Sequence, residues 1–235
     1  MSEENILEVK NLTVNLGAEN IIDDLTFSVR KNELLTIIGP NGSGKSVLLK
    51  ALLGILPHDG EINWREKNKI GYLPQGFTQS VVAKSFPMTV FDFFTLKNPT
   101  PEKSEISKFI SLVGLESGIL EKTVGNLSGG QFQRMLFAWV LISHPKVLLL
   151  DEPATGVDIG GGETMQTLLH QIREEEKITI ITVSHDLNIV SAHSTNVLCL
   201  SKRGHACYGP PQEILTPQML KETFGMEIKF YTHKK

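Results

Sequence analysis

The sequence predicts an α/β fold: a sheet covered on both faces, with a strand-rich segment before it and a helical block set into it. Three observations lead there. Val147-Leu148-Leu149-Leu150 and Ile178-Thr179-Ile180-Ile181-Thr182-Val183 are continuous apolar runs, the mark of parallel strands buried on two faces rather than one. A glycine-rich stretch, Gly39-Pro40-Asn41-Gly42-Ser43-Gly44-Lys45-Ser46, stands between another such run and a segment of helical periodicity. From about Pro87 the apolar spacing turns helical, until strands resume at Val147.

In chain order, Leu7-Glu8-Val9-Lys10, Leu12-Thr13-Val14 and Leu25-Thr26-Phe27-Ser28-Val29 alternate in the manner of half-exposed strands. Residues 33–38 read as a buried strand and residues 46–53 as the helix after it. Glu61-Ile62-Asn63-Trp64 and Ile70-Gly71-Tyr72-Leu73 read as two strands around a polar turn. Helices are expected over residues 89–96, 103–113 and 131–142. Residues 197–200 and 205–208 read as a hairpin turned by Lys202-Arg203-Gly204, which could bring Cys199 and Cys207 near one another.

With 235 residues and 40% hydrophobic side chains, the chain can bury a full core. Its net charge of −3, with the signs mixed, offers no nucleic-acid surface. No apolar run approaches the ~20 residues of a membrane span. The acidic start, Ser2-Glu3-Glu4, lacks the apolar stretch of a signal peptide. Two cysteines give no support to a disulfide scaffold, so the chain is expected in the cytosol or on the cytosolic face of a membrane. Cys199, His205 and Cys207 invite a metal-site reading. Three ligands are few for structural zinc, however, and cysteine often serves as a small buried apolar residue, which is the preferred reading.

The glycine-rich stretch has the spacing that cradles a triphosphate. Gly42 and Gly44 allow a backbone path that turns N–H groups toward phosphate oxygens, and the following helix adds its positive end. Lys45 should reach the outer phosphates, and the Ser46 hydroxyl should ligate Mg²⁺. Asp151-Glu152 follows a buried strand at once, so one carboxylate can hold the ion and its neighbour can polarise a water. His185 lies at the same rim, one residue past Ser184 and another apolar strand.

Together with Leu127-Ser128-Gly129-Gly130-Gln131, these motifs resemble those of the ATP-binding subunit of an ABC transporter, in family order along the whole chain. Residues 39–46 match Walker A, Gln75 the Q-loop, residues 127–131 the signature, residues 148–153 Walker B, Thr155-Gly156-Val157-Asp158 the D-loop, and His185 the switch histidine. The resemblance implies a P-loop NTPase with a RecA-like core (residues 1–75 and 145–235), an N-terminal antiparallel β-subdomain and a helical subdomain inserted at about residues 76–144. It implies ATP held by Gly39, Pro40, Asn41, Gly42, Ser43, Gly44, Lys45, Ser46 and Val47, and Mg²⁺ held by Ser46, Gln75 and Asp151. Catalysis would fall to Lys45, Gln75, Glu152 as base and His185 on the γ-phosphate. Ser128, Gly129, Gly130 and Gln131 of the signature would serve the nucleotide of a second copy, so that two chains meet head to tail, and Asp158 of the D-loop is a further nucleotide-binding residue. Integral membrane permease subunits, and indirectly an extracytoplasmic substrate-binding protein, are the other implied partners, with the chain at the cytoplasmic face of the membrane. One departure stands out: Leu16 occupies the place where such chains carry an aromatic stacked on adenine, which leaves GTP less firmly excluded than usual.

Phe86-Pro87-Met88-Thr89-Val90, the D-loop ending and the stretch from Cys199 through Pro211 are similar to the subgroup importing zinc, manganese or iron. A transporter for another cargo, or a stand-alone ABC ATPase acting as scaffold or assembly factor for Fe–S clusters, is the competing reading. A switch without turnover is disfavoured by the intact Glu152 and His185. A permease groove is expected beside Gln75, with Phe86, Pro87, Val90 and Phe94 supplying apolar side chains. Phe91, Phe93 and Phe94 cannot all face one way on a helix, so at least one should pack inward.

Overall fold

The computed structural model describes residues 5–66, 69–76, 87–97, 102–153, 165–202 and 206–226. Among them, β1 (Asn5–Leu16), β2 (Glu19–Arg30) and β4 (Asp59–Trp64) make an antiparallel sheet in the order β2-β1-β4. A second sheet holds β3 (Leu34–Ile38), β5 (Ile70–Leu73), β6 (Val147–Leu150), β7 (Thr179–Val183), β8 (Asn196–Leu200) and β9 (Ala206–Gly209). Its order is β5-β6-β7-β3-β8-β9, parallel throughout except for the antiparallel edge strand β9. The α/β expectation is met.

Two sequence expectations about strands need revision. The runs at Leu7 and Leu12 belong to one strand, broken in pattern because Asn11 takes a positive φ of 49° where the register with β2 shifts. The segments ending at Trp64 and beginning at Ile70 do not share a sheet: β4 pairs with β1, and β5 pairs with β6. Gly71 shows why β5 lies where it does. A Cβ there would come 2.5 Å from a Val140 methyl, so the strand passes directly beneath the helix that carries Val140.

The helices are α1 (Lys45–Leu52), α2 (Val90–Thr95), α3 (Lys103–Leu112), α4 (Gly129–Leu141), α5 (Met165–Glu176), α6 (Leu187–His193), α7 (Pro211–Ile214) and α8 (Pro217–Phe224). Capping fixes where several begin. Thr89 Oγ1 accepts from Asp92 N, and the Asp92 carboxylate accepts from Thr89 N, a reciprocal box at the start of α2. Thr216 caps α8 ahead of Pro217.

Alternate residues of the large sheet feed two cores. Leu148, Leu150 and Ile180 face a cluster with Phe94, Phe109, Phe132 and Phe137 from α2, α3 and α4. Val147, Leu149, Ile181 and Val183 face Leu48, Leu49 and Leu52 of α1 and the inner side of the antiparallel sheet. Val90 and Phe94 are fully buried in the first cluster, which removes them from the expected permease groove; their spacing on α2 points them inward. Phe93 is buried there too, Phe91 packs on the cluster's margin, and Phe86 lies outside the described residues.

The cysteine expectation also changes. Cys199 and Cys207 face one another in register across β8 and β9 with Cα atoms 5.0 Å apart, and the structure joins them as a disulfide. His205 lies outside the described residues.

Candidate active site

The segments that follow strand ends, with the first turn of α1, supply the groups at this site. The carboxyl ends of β3, β5, β6 and β7 lie along one rim of the parallel sheet, where ligands of open α/β sheets bind. The loop after β3 is shaped by its glycines. A Cβ on Gly39 would sit 2.1 Å from the Leu200 carbonyl oxygen and 2.6 Å from Ser43 Oγ, so no other residue fits. Gly44 takes the N-cap position of α1 at φ 91°, a left-handed conformation suited to glycine, and no side chain caps the helix there.

Lys45 is buried, and its Nζ donates to the Gly39 and Pro40 carbonyls, 2.9 Å each. Burial pulls its pKa down, against the opposing pull of Glu152 and Asp151. Asp151 is buried as well. Its carboxyl is held above the usual range by burial, a hydrogen bond from Ser46 works the other way, and Glu152 raises it further. One oxygen, Oδ1, is buried without a hydrogen-bond partner. An orphaned carboxylate oxygen beside a serine hydroxyl and a lysine matches what a hard cation carrying phosphate requires.

Glu152 adopts φ 51°, a conformation costing a non-glycine residue about 1–3 kcal/mol and found where a site over-determines the backbone. Gln75 Nε2 donates to its Oε2 at 2.8 Å, and His185 Nε2 pairs with its Oε1. His185 is fixed from behind: Ser184 Oγ accepts from Asp186 N, and Asp186 caps α6 by accepting from Asn188 N and Ile189 N. Between these groups opens a cavity of about 610 Å³, lined by Asn41, Gly42, Gly44, Lys45, Ser46, Val47, Gln75, Glu152 and His185. Gly39, Pro40, Ser43 and Asp151 are not among the lining residues.

Ser128, Gly129, Gly130 and Gln131 do not line the cavity. Ser128 caps α4 in a reciprocal box with Gln131, and both Ser128 and Gly129 are exposed. The helix therefore starts earlier than its apolar pattern suggests. Leu16, 42% exposed at the end of β1, is not among the lining residues. Thr155, Gly156, Val157 and Asp158 lie outside the described residues.

The sequence reading missed the end of β8 as a wall of the phosphate loop. Leu200 abuts Gly39, and Lys202 Cε lies 3.8 Å from where a Gly42 Cβ would stand. No phosphate-binding motif marks this stretch; the pairing of β8 with β3, which sets Cys199 beside Ile38, brings it to the loop.

Among the described residues no helix is long and apolar enough to cross a membrane. The profile of the ABC transporter family matches residues 22–155. The chain is 37% identical over 233 residues to the zinc import ATP-binding protein ZnuC of Mannheimia succiniciproducens, covering 97% of this chain and 86% of the relative. A solved inward-facing ABC transporter, described as of metal-chelate type, superposes with a TM-score of 0.83 at 28% identity, covering 95% of this chain and 90% of the other. CbiO1 of Clostridium perfringens, part of the ABC transporter complex CbiONQ, gives 0.78 at 28% identity over 94% of each chain.

Proposed function

Since this chain belongs to the ABC transporter family, we propose that it hydrolyses ATP to drive import of a divalent metal ion, zinc, manganese or iron, through a membrane permease. The observation that carries the catalytic half is the meeting of Glu152, Gln75 and His185 at one end of the phosphate loop's cavity. The metal half rests on likeness to a zinc import subunit along nearly the whole chain.

The backbone N–H groups at the start of α1 and the Lys45 ammonium take the phosphates. Ser46, Asp151 and Gln75 are the residues to hold Mg²⁺, which when bound neutralises charge on the phosphate oxygens. Glu152 then accepts the proton of a water aligned with the γ-phosphate, and His185 orients that phosphate. His185 must first leave the Glu152 carboxylate to reach the γ-phosphate, which frees a lone pair of Oε1 for the water. Ser128 and the N–H groups of Gly129 and Gly130 meet the nucleotide of a second, head-to-tail copy, where the positive end of α4 suits an anion. The pair sits on permease subunits at the cytoplasmic face, and a substrate-binding protein delivers cargo from outside.

The test is uptake of labelled zinc, manganese and iron at limiting metal in cells lacking the gene. Loss of uptake for one of them, restored by the wild-type chain but not by Glu152→Gln, is the expected result. Undiminished uptake of all three would overturn the metal assignment while leaving ATP hydrolysis to be judged on the purified chain.

A further inference from the structure

We infer that Cys199 and Cys207 form a thiol–disulfide exchange site whose state is transmitted to the phosphate loop. The two residues are eight apart in sequence and directly opposed across the β8–β9 hairpin. Their surroundings differ. Cys199 is 1% exposed, on a strand flanked by β3 and β9, whereas Cys207 is half-buried on the sheet's edge. Edge exposure makes Cys207 the sulfur a small reagent can reach, and burial makes Cys199 the resolving partner. The inference rests on the proposed function in one respect: at the cytoplasmic face, disulfides are transient or redox-sensing rather than structural.

The exchange needs only a small thiol or its disulfide as co-reactant. In reduction, a small thiolate attacks Cys207 Sγ, the protein S–S bond breaks, and the electron pair leaves on Cys199 Sγ, which takes a proton. A second small thiolate attacks the outer sulfur of the mixed disulfide and departs as small disulfide, leaving the Cys207 thiolate to be protonated. Oxidation runs in reverse, two electrons and two protons passing from the dithiol to one small disulfide, which leaves as two thiols.

The route to the phosphate loop is short. Cys199 pairs with Ile38, the residue just before Gly39, and Leu200 presses its carbonyl against Gly39. Leu200, Ser201 and Ala206 also border a void of about 10 Å³ shared with Ser43, whose buried hydroxyl has no hydrogen-bond partner. While the disulfide ties β9 to β8, the end of β8 is held against the loop. After reduction a four-residue edge strand retains only its ladder and side-chain contacts, so the wall behind the phosphates loosens.

The experiment equilibrates the full chain in small-thiol and disulfide buffers, counts thiols by alkylation and intact mass, and measures affinity for a fluorescent ATP analogue. Free thiols should pass from two to none. Cys199→Ser should trap a mixed disulfide on Cys207, while Cys207→Ser should leave Cys199 unmodified in the folded chain. Nucleotide affinity should fall about fivefold on reduction, the lower end of ordinary coupling between sites, and the double serine variant should ignore the buffer. Two thiols that stay free in the most oxidising buffer would overturn the exchange site. Equal affinity in both states would overturn the coupling. A chain that binds no nucleotide in either state would remove the ATPase reading and the coupling together, while the thiol count still judges the exchange site.

Discussion

Glu152 works from a backbone conformation that its own side chain disfavours, with both carboxylate oxygens engaged. Glu152→Gln should keep nucleotide binding yet lower turnover by about 10²-fold or more, the ordinary worth of a general base; steady-state ATPase with a parallel binding titration checks this. On the proposed pairing, in which hydrolysis reopens the two chains, the variant should also accumulate as a nucleotide-bound pair on gel filtration. Near-normal turnover would remove Glu152 from the role of base. Lys45→Ala should fail earlier, with affinity lost in calorimetry. At this scale much of the site was legible, because Lys45, Asp151, Glu152 and His185 each follow a run whose apolar continuity announces a buried strand. The left-handed turn at Glu152 was not legible. It accompanies contacts with Gln75 and His185, which stand far away in sequence, and no local propensity encodes it.

Secondary-structure elements carry two further tests. Ser128 both caps α4 and belongs to the proposed trans site. Ser128→Ala should cost about 1 kcal/mol of stability through the lost cap. Ser128→Asp should keep the cap and the melting temperature but lose ATPase activity, because a carboxylate would oppose the partner's phosphate. If the aspartate variant hydrolyses ATP normally, the α4 terminus does not meet phosphate. The second test concerns β9, tied to β2 where Tyr208 Oη donates to the Ser28 carbonyl. Burial, then the nearby Glu33 carboxylate, push the Tyr208 phenol up to about 12, with Arg30 and the Ser28 bond pulling the other way. The folded pKa lies above the unfolded one, so this contribution is complete below pH ~10 and fades as pH rises toward 12. Tyr208→Phe should therefore lose stability less steeply than wild type between pH 10 and 12 in denaturant titrations; identical slopes would contradict it. Element types were mostly readable from periodicity. Partnership was not: β4 and β5 look like neighbours in sequence, and only the close approach of Val140 over Gly71 and the pairing with β6 separate them. The hairpin reading brought Cys199 and Cys207 near one another but not into direct opposition, since register across a hairpin is a property of two strands at once.

For the whole molecule, β6 and β7 form a wall shared by two cores, so the rim that carries Asp151, Glu152 and His185 is braced from both faces. What the fold does not do is bring Ser128 to its own phosphate loop. Mixing Lys45→Ala chains with Ser128→Arg chains should restore measurable ATPase activity that neither parent shows, because one of the two composite sites then carries neither change. A mixture as inactive as its parents would mean strictly interdependent sites or a wrong trans assignment, and a nucleotide-bound structure of the pair would separate the two. The exposed start of α4 also has a meaning for inheritance. On the proposed head-to-tail pairing, a fault in one chain's signature residues reaches the site of a healthy copy. Because a mixed pair keeps one composite site without the change, a cell making normal and Ser128→Arg chains side by side should lose transport in proportion to the share of faulty molecules. A steeper, dominant loss would mean that both sites must fire together.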